Sequence, residues 1–151
     1  MSTHEAASWL RDAVEKDGVA RIVKVATKAL KVVEFDTIAF RGMSGALIAP
    51  IVAHKMKKEV AMLRKSGAQT HSCYEYEGHT AVQRYVILDD FVSTGQTVAG
   101  IIRDMRRSVP GAKFVGLYTY YSTYDKSAGW YPVDQSELFD KIKRHMKGEE
   151  L

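Results

Sequence analysis

Residues Tyr85 to Val98 read YVILDDFVSTGQTV. The order of these side chains decides the fold. Val86, Ile87 and Leu88 form a short apolar run, and two adjacent carboxylates, Asp89 and Asp90, follow it. Ser93, Thr94, Gly95, Gln96 and Thr97 then make a loop of hydroxyls, an amide and a glycine. Beyond it Val98, Ile101, Ile102 and Met105 recur at helical spacing. A strand, a donor-rich loop and a helix N-terminus make a ready phosphate site, the alternative being an ordinary N-cap by Ser93 or Thr94. The adjacent acids point to hydroxyls or a metal beside that phosphate. A nucleoside-triphosphate loop does not fit, because no P-loop lysine and no second glycine precede the helix.

Working outward, the same alternation recurs. Phe35 to Phe40 (FDTIAF) reads as a strand, broken by Arg41-Gly42-Met43-Ser44-Gly45. Ala46 to Met56 is helical in pattern, with Pro50 kinking it or sitting in its first turn. Glu59 to Leu63 (EVAML) is the next short strand, and Arg64 to Thr80 is a long polar loop containing Tyr74-Glu75-Tyr76-Glu77, which alternates like a hairpin strand. The central strand is expected over about 84–89 and its helix over about 95–108, closed by Val109-Pro110-Gly111. Lys113 to Tyr120 is a further strand, Gly129 to Pro132 a turn, and Ser136 to Met146 a terminal helix. At the other end, Ser2 or Thr3 caps a helix with Ala6, Trp9, Leu10, Ala13 and Val14 on one face, ended by Asp17-Gly18. A second helix runs from Val19 to Val33, with Ile22, Val25, Ala26, Ala29, Leu30 and Val33 on one side and the lysines at 24, 28 and 31 on a solvated face.

Strands alternating with helices imply an α/β fold with a mostly parallel central sheet and helices on both faces. Ligands of such sheets bind beyond the C-terminal strand ends. The loops after Phe40 and after Asp89 both lie there and are expected to form one site.

The 151 residues fit one domain with a sizeable core. With 46% hydrophobic and 26% charged residues the chain belongs to neither the disordered nor the membrane class. No apolar run approaches the roughly 20 residues that span a bilayer. Cys73 stands alone, so an internal disulfide is excluded. A cytoplasmic protein is expected. The formal charge of +4 suits a phosphorylated small molecule, and no nucleic-acid module accompanies it.

The stretch YVILDDFVSTGQT resembles the signature of the type I phosphoribosyltransferases: apolar residues, two acids, two more residues, then hydroxyl-hydroxyl-Gly-x-Thr. Phe91 is bulkier than usual after the acids. The resemblance implies that Asp89 and Asp90 contact the ribose hydroxyls of phosphoribosyl pyrophosphate (PRPP), and that Ser93, Thr94, Gly95, Gln96 and Thr97 hold its 5′-phosphate. The loop from Arg41 and Gly42 to Gly45 is similar to the family's pyrophosphate loop, in which a non-proline cis peptide is common; Arg41–Gly42 is the place for it here. The alternative for that loop is a plain strand-to-helix turn with Ser44 as N-cap. Arg64-Lys65-Ser66-Gly67 resembles the start of the flexible loop of adenine phosphoribosyltransferases, which closes over the site. Fixed cations stabilise a leaving pyrophosphate, and Arg64 and Lys65 are the candidates, with Asp90 as a third catalytic residue. His71 and His79 are weaker candidates, and Cys73 is read as a bystander.

The resemblance covers roughly residues 19 to 120. It implies a single domain over 1–151, with a small hood from the N-terminal 34 or so residues, the C-terminal 30 or so, or both. Tyr118, Tyr120, Tyr121, Tyr124, Trp130 and Tyr131 are available to stack on a base or to pack. The implied activity is transfer of a 5-phosphoribosyl group from PRPP to a nucleobase, adenine or another purine first and orotate next. Pyrophosphate is released, and Mg²⁺ is held mainly through PRPP, with Asp89 or Asp90 as a protein contact. Members are often dimers, so a homodimer is implied. The alternative is a PRPP-sensing regulator without transferase activity that binds nucleic acid or a partner elsewhere; the lid-like Arg64-Lys65 loop argues against it.

Overall fold

Four runs of β-branched and aromatic residues lie side by side in the computed structural model, which describes residues 10–65, 75–120, 129–133 and 137–151. They are β1 (Thr37–Phe40), β2 (Glu59–Leu63), β4 (Arg84–Asp89) and β5 (Lys113–Thr119). Two short edge strands complete the sheet, β3 (Tyr76–Gly78) and β6 (Gly129–Pro132), in the order β3-β2-β1-β4-β5-β6. The four inner strands are parallel to one another, and both edge strands are antiparallel. Helices α1 (Arg11–Val14), α2 (Lys16–Leu30) and α3 (Gly42–Met56) contribute to a core on one face, with Ile38, Val86 and Leu88 from the sheet. Helices α4 (Gln96–Ser108) and α5 (Leu138–Arg144) build the other core with Ala39, Tyr85 and Ile87. Successive strand residues thus serve opposite cores, as the pleat requires. The mostly parallel α/β architecture is the one expected.

Asp36 fastens the N-terminal edge of the sheet. Its Oδ2 accepts the Gln83 and Arg84 amides at 3.1 and 2.8 Å, and its own carbonyl accepts the Glu59 amide at 3.0 Å. This fixes the start of β4 relative to β1 and β2. The opposite, C-terminal ends carry the loops.

Several expectations change. The N-terminal helical stretch breaks at Glu15, where the backbone is extended, and not at Asp17-Gly18. Gly18 lies within α2 because a Cβ there would sit 2.2 Å from the Asp12 carbonyl oxygen, so only glycine lets α1 and α2 approach. Val14 and Val25 are 64% and 54% exposed, and Val23 takes the buried place expected of Val25. Helix α3 begins at Gly42 rather than Ala46, since the positive φ of Gly42 (+76°) completes the turn early. Pro50 therefore sits in the interior of α3, on an exposed face where the carbonyl it leaves without a donor meets water. Gly129 to Pro132 is a strand and not a turn. It pairs with β5 because Gly116 leaves room for the Trp130 ring, which would stand 2.5 Å from a Cβ there.

The expected cap at Ser2 or Thr3, Trp9, His71, Cys73, Tyr121, Tyr124 and Ser136 lie outside the described residues, as does most of the 64–80 loop. No helix among the described residues is long and apolar enough to cross a membrane.

Candidate functional site

The strand order reverses direction between β1 and β4, and parallel sheets bind ligands at such a point. A cleft of about 790 Å³ opens there, at the C-terminal ends of β1, β2 and β4. The geometry brings together the principal candidates: Arg41 and Gly42 after β1, Arg64 and Lys65 after β2, and Asp89, Asp90 and the 93–97 loop after β4 all line it. His79, beyond β3, does not line the cleft.

Asp89 ends β4, with its main chain in register with Thr119 of β5. It is 7% exposed, whereas Asp90 is half-buried. One carboxylate oxygen of Asp89 accepts both the Ser44 hydroxyl and the Asp90 amide, each at 2.8 Å. Burial, then the hydrogen bond and charge of the Asp90 side chain, push the Asp89 carboxyl up to about 7.

The next loop ends at Gly95, in the left-handed region (φ +89°) as N-cap of α4. The Gln96 amide donates to the Thr94 hydroxyl at 3.2 Å. First-turn amides of a helix lack intrahelical acceptors, so α4 presents donors and its positive end to the cleft. Gly95 is also covered from behind: a Cβ there would lie 3.1 Å from the Ile142 backbone of α5. The terminal helix thus backs the loop, and Arg103 of α4 donates to the His145 carbonyl just beyond α5.

The first loop adds a second helix N-terminus, that of α3. Its N-cap residue is Arg41, and Ser44 makes no cap bond but reaches Asp89 instead. The Arg41–Gly42 peptide is trans, contrary to expectation; the glycine's positive φ does the turning. The Arg41 guanidinium is tied down. It pairs with Asp104 of α4 and donates to the carbonyls of Leu63 and Arg64 at 3.2 and 3.4 Å. Gly100 makes this possible, because a Cβ there would stand 2.6 Å from an Arg41 nitrogen. Arg64 pairs with Glu77 of β3 at 2.8 Å, and Lys65 is exposed at the rim.

The aromatic candidates for a base platform are packing residues where described. Tyr118 and Tyr120 are 2% and 7% exposed, and Trp130 and Tyr131 pack against the cores. Residues that sequence reasoning missed are Met62, Gly100 and Arg103, all lining the cleft. Gln96, Gly100 and Arg103 are spaced four and three apart on one face of α4, and that spacing was the available signal.

No protein-family model matches the sequence, and no curated protein matches it. Among solved structures, the adenine phosphoribosyltransferase of Thermoanaerobacter pseudethanolicus superposes with a TM-score of 0.56 at 23% identity, over 75% of this chain and 72% of that one. The UMP synthase of Leishmania donovani gives 0.60 at 24% identity, over 74% of this chain and 24% of that one. The orotate phosphoribosyltransferase of Mycobacterium tuberculosis, solved with inorganic phosphate, gives 0.55 at 17% identity, over 73% of this chain and 61% of that one. The chain therefore has the type I phosphoribosyltransferase fold.

Proposed function

We propose that this protein transfers the 5-phosphoribosyl group of PRPP to a ring nitrogen of a nucleobase and releases pyrophosphate. One observation carries the reading: two helix N-termini and an adjacent acid pair converge in one cleft at the switch point of the sheet. Two anion sites flanking carboxylates match a ligand with phosphate at each end and hydroxyls between. The M. tuberculosis orotate enzyme of this fold has also been solved with PRPP.

In this reading the amides and hydroxyls of Ser93 to Thr97 hold the 5′-phosphate, and Asp89 and Asp90 accept ribose hydroxyls. The α3 N-terminus at Gly42 to Ser44 holds the pyrophosphate, with Arg41 fixing the loop through Asp104. The C1–O bond breaks with its electrons going to pyrophosphate, the lone pair of the base nitrogen forms the C1–N bond, and the proton of the ring N–H leaves to pyrophosphate or solvent. Helix dipoles, Lys65 and Arg64 stabilise the charge that develops on the leaving group.

Among the described residues no cluster of three or more acids, histidines or cysteines could grip a metal. The Asp89–Asp90 pair fits Mg²⁺, which keeps waters and substrate oxygens and takes only one or two carboxylates. Bound with PRPP, Mg²⁺ would supply neutralising charge to the pyrophosphate.

The acceptor is a purine, adenine first, or orotate; solved neighbours include enzymes for both, among them a yeast adenine phosphoribosyltransferase complexed with adenine. A homodimer belongs to the same reading, and sedimentation measures it.

The test is pyrophosphate release from PRPP and Mg²⁺ across a panel of bases, with calorimetry of PRPP binding alongside. One base should be consumed, and Asp90→Asn or Thr94→Ala should weaken PRPP binding strongly. PRPP binding with no base consumed would leave a PRPP-sensing protein instead. Absence of PRPP binding would overturn both.

A further inference from the structure

Three elements meet beside the acid pair in a closed ring of hydrogen bonds. The Ser44 hydroxyl, in the first turn of α3, donates to the Asp89 carboxylate at 2.8 Å. The Tyr120 amide, one residue past β5, donates to the Asp89 carbonyl at 3.2 Å. The Tyr120 hydroxyl closes the ring by donating to the Ser44 carbonyl at 2.6 Å. The members lie 45 and 76 residues apart along the chain from Ser44, so only the tertiary fold assembles them.

The amide bond continues the parallel β4–β5 ladder, and the two hydroxyl bonds are what tie α3 to it. Ser44 stands where a serine usually satisfies its own helix, yet its hydroxyl leaves α3 for the neighbouring strand. A carbonyl carries two lone pairs, so that of Ser44 can serve its helix and Tyr120 together. Tyr120 is 7% exposed. Burial, reinforced by Asp90 and then Asp89, holds its phenol far above the usual range, so the hydroxyl stays a donor.

The ring joins two places that the proposed reaction loads with different halves of one substrate. The amides of Gly42, Met43 and Ser44 face the pyrophosphate half, and Asp89 faces the ribose. An anion drawn onto α3 tightens its first turn. Ser44 belongs to that turn, so the Asp89 oxygen it holds is fixed with it and the second carboxylate oxygen is aimed. We propose that Ser44 and Tyr120 are positioning residues that couple the pyrophosphate loop to the ribose acid, so that either half of PRPP binds more tightly when the other is present. The inference rests on the transferase reading of the cleft and goes beyond it, because nothing in that reading requires the two halves to cooperate.

The experiment separates the halves. Calorimetry in Mg²⁺ measures the affinity for 1,4-anhydroribitol 5-phosphate, a ribose 5-phosphate lacking the anomeric hydroxyl, with and without saturating pyrophosphate. The readout is the ratio of the two affinities, so a loss common to both states cancels. Coupling between sites is typically about 5- to 150-fold, and pyrophosphate should tighten the sugar phosphate by at least about fivefold in the unaltered protein. Ser44→Ala and Tyr120→Phe should each bring the ratio close to one, and Ser44→Thr, which keeps the hydroxyl, should restore it. Two variants on different elements keep the test valid if one fails to fold, which thermal melting detects. A ratio of one in the unaltered protein, or an undiminished ratio in the folded variants, overturns the coupling. If the unaltered protein binds neither PRPP nor the sugar phosphate, the transferase reading falls first and takes the coupling with it.

Discussion

Replacing Asp89 by Asn should make the protein more stable and less able to hold PRPP, and the stability gain should appear only as pH rises. Asp89 is 7% exposed, and its carboxyl is raised from 3.8 to about 7, chiefly by burial and then by the Asp90 side chain. Between those two values the unfolded chain has lost the proton while the folded chain keeps it. The folded state therefore binds more protons, and stability falls as pH rises through the window. About three pH units at 1.36 kcal/mol each give an upper bound of roughly 4 kcal/mol. Asn keeps the oxygen that accepts from Ser44 and the Asp90 amide and carries no charge, so it isolates the electrostatic cost. At about 2–4 °C per kcal/mol for a chain of this size, the upper bound corresponds to roughly 10 °C in Tm. The assay is a series of thermal melts from pH 4 to 8.5 in EDTA, which keeps cations from the acids. The difference between variant and parent should be near zero at pH 4, grow through pH 5 to 7, and level off above. A difference independent of pH, or none at pH 8, would refute the view that a desolvated carboxylate destabilises the fold.

Asp104→Ala should destabilise the protein by about 3 kcal/mol in urea unfolding, because it strands the Arg41 guanidinium, only 14% exposed, without its partner. Changing both residues to leucine should recover most of that loss. Gly95→Ala should lower Tm and weaken phosphate binding together, since it forces a positive φ of +89° on a side chain and presses a Cβ to 3.1 Å from Ile142; the backbone conformation alone costs about 1–2 kcal/mol. Lys65→Ala should lower turnover more than PRPP affinity if the lysine acts on developing charge, and steady-state kinetics beside calorimetry separates the two.

What could be read from the sequence follows how far apart the determinants lie. Strand β2 falls on the expected five residues, β4 on the expected six, and α4 starts within a residue of its predicted place. Their signals are local: an apolar run, two acids, a glycine and a 3.6 period. The acids and the hydroxyl loop that line the cleft were visible for the same reason. What was hidden depends on contacts between distant residues. Gly129 to Pro132 reads as a turn until Gly116 is seen to leave space for Trp130. Gly18 reads as a helix stop until Asp12 is found against it. Arg41 reads as a free cation for an anion, and only the fold shows Asp104, 63 residues away, holding it. Tyr120 illustrates the same limit. In sequence it is a ring available to stack or to pack, whereas its position gives a buried hydroxyl donor.

The disposition of charge in the cleft bears on how catalysis would work. Two of the candidate cations already have protein partners, Arg41 with Asp104 and Arg64 with Glu77. Their positive charge is largely cancelled where it stands, so neither can be the main attraction for an anionic ligand. The remaining positive potential comes from two helix N-termini, which are neutral overall and strong only at short range, from Lys65 at the rim, and from Arg103, whose partner is the neutral His145 carbonyl. A site of this kind discriminates by shape before charge: a ligand must place its phosphates directly against the amides to gain from them. The two ion pairs differ in what they can do next. Arg41 is bound on three sides, by Asp104 and two carbonyls, and gains nothing by moving. Arg64 pairs through its side chain with Glu77, and its buried Nε has no partner among the described residues. A leaving pyrophosphate offers more negative charge than a half-exposed carboxylate, so of the two arginines Arg64 is the one able to exchange its partner as charge develops. Transition-state stabilisation by a group engaged elsewhere in the ground state raises turnover without tightening substrate binding, which is the pattern the kinetic comparison at this rim would read.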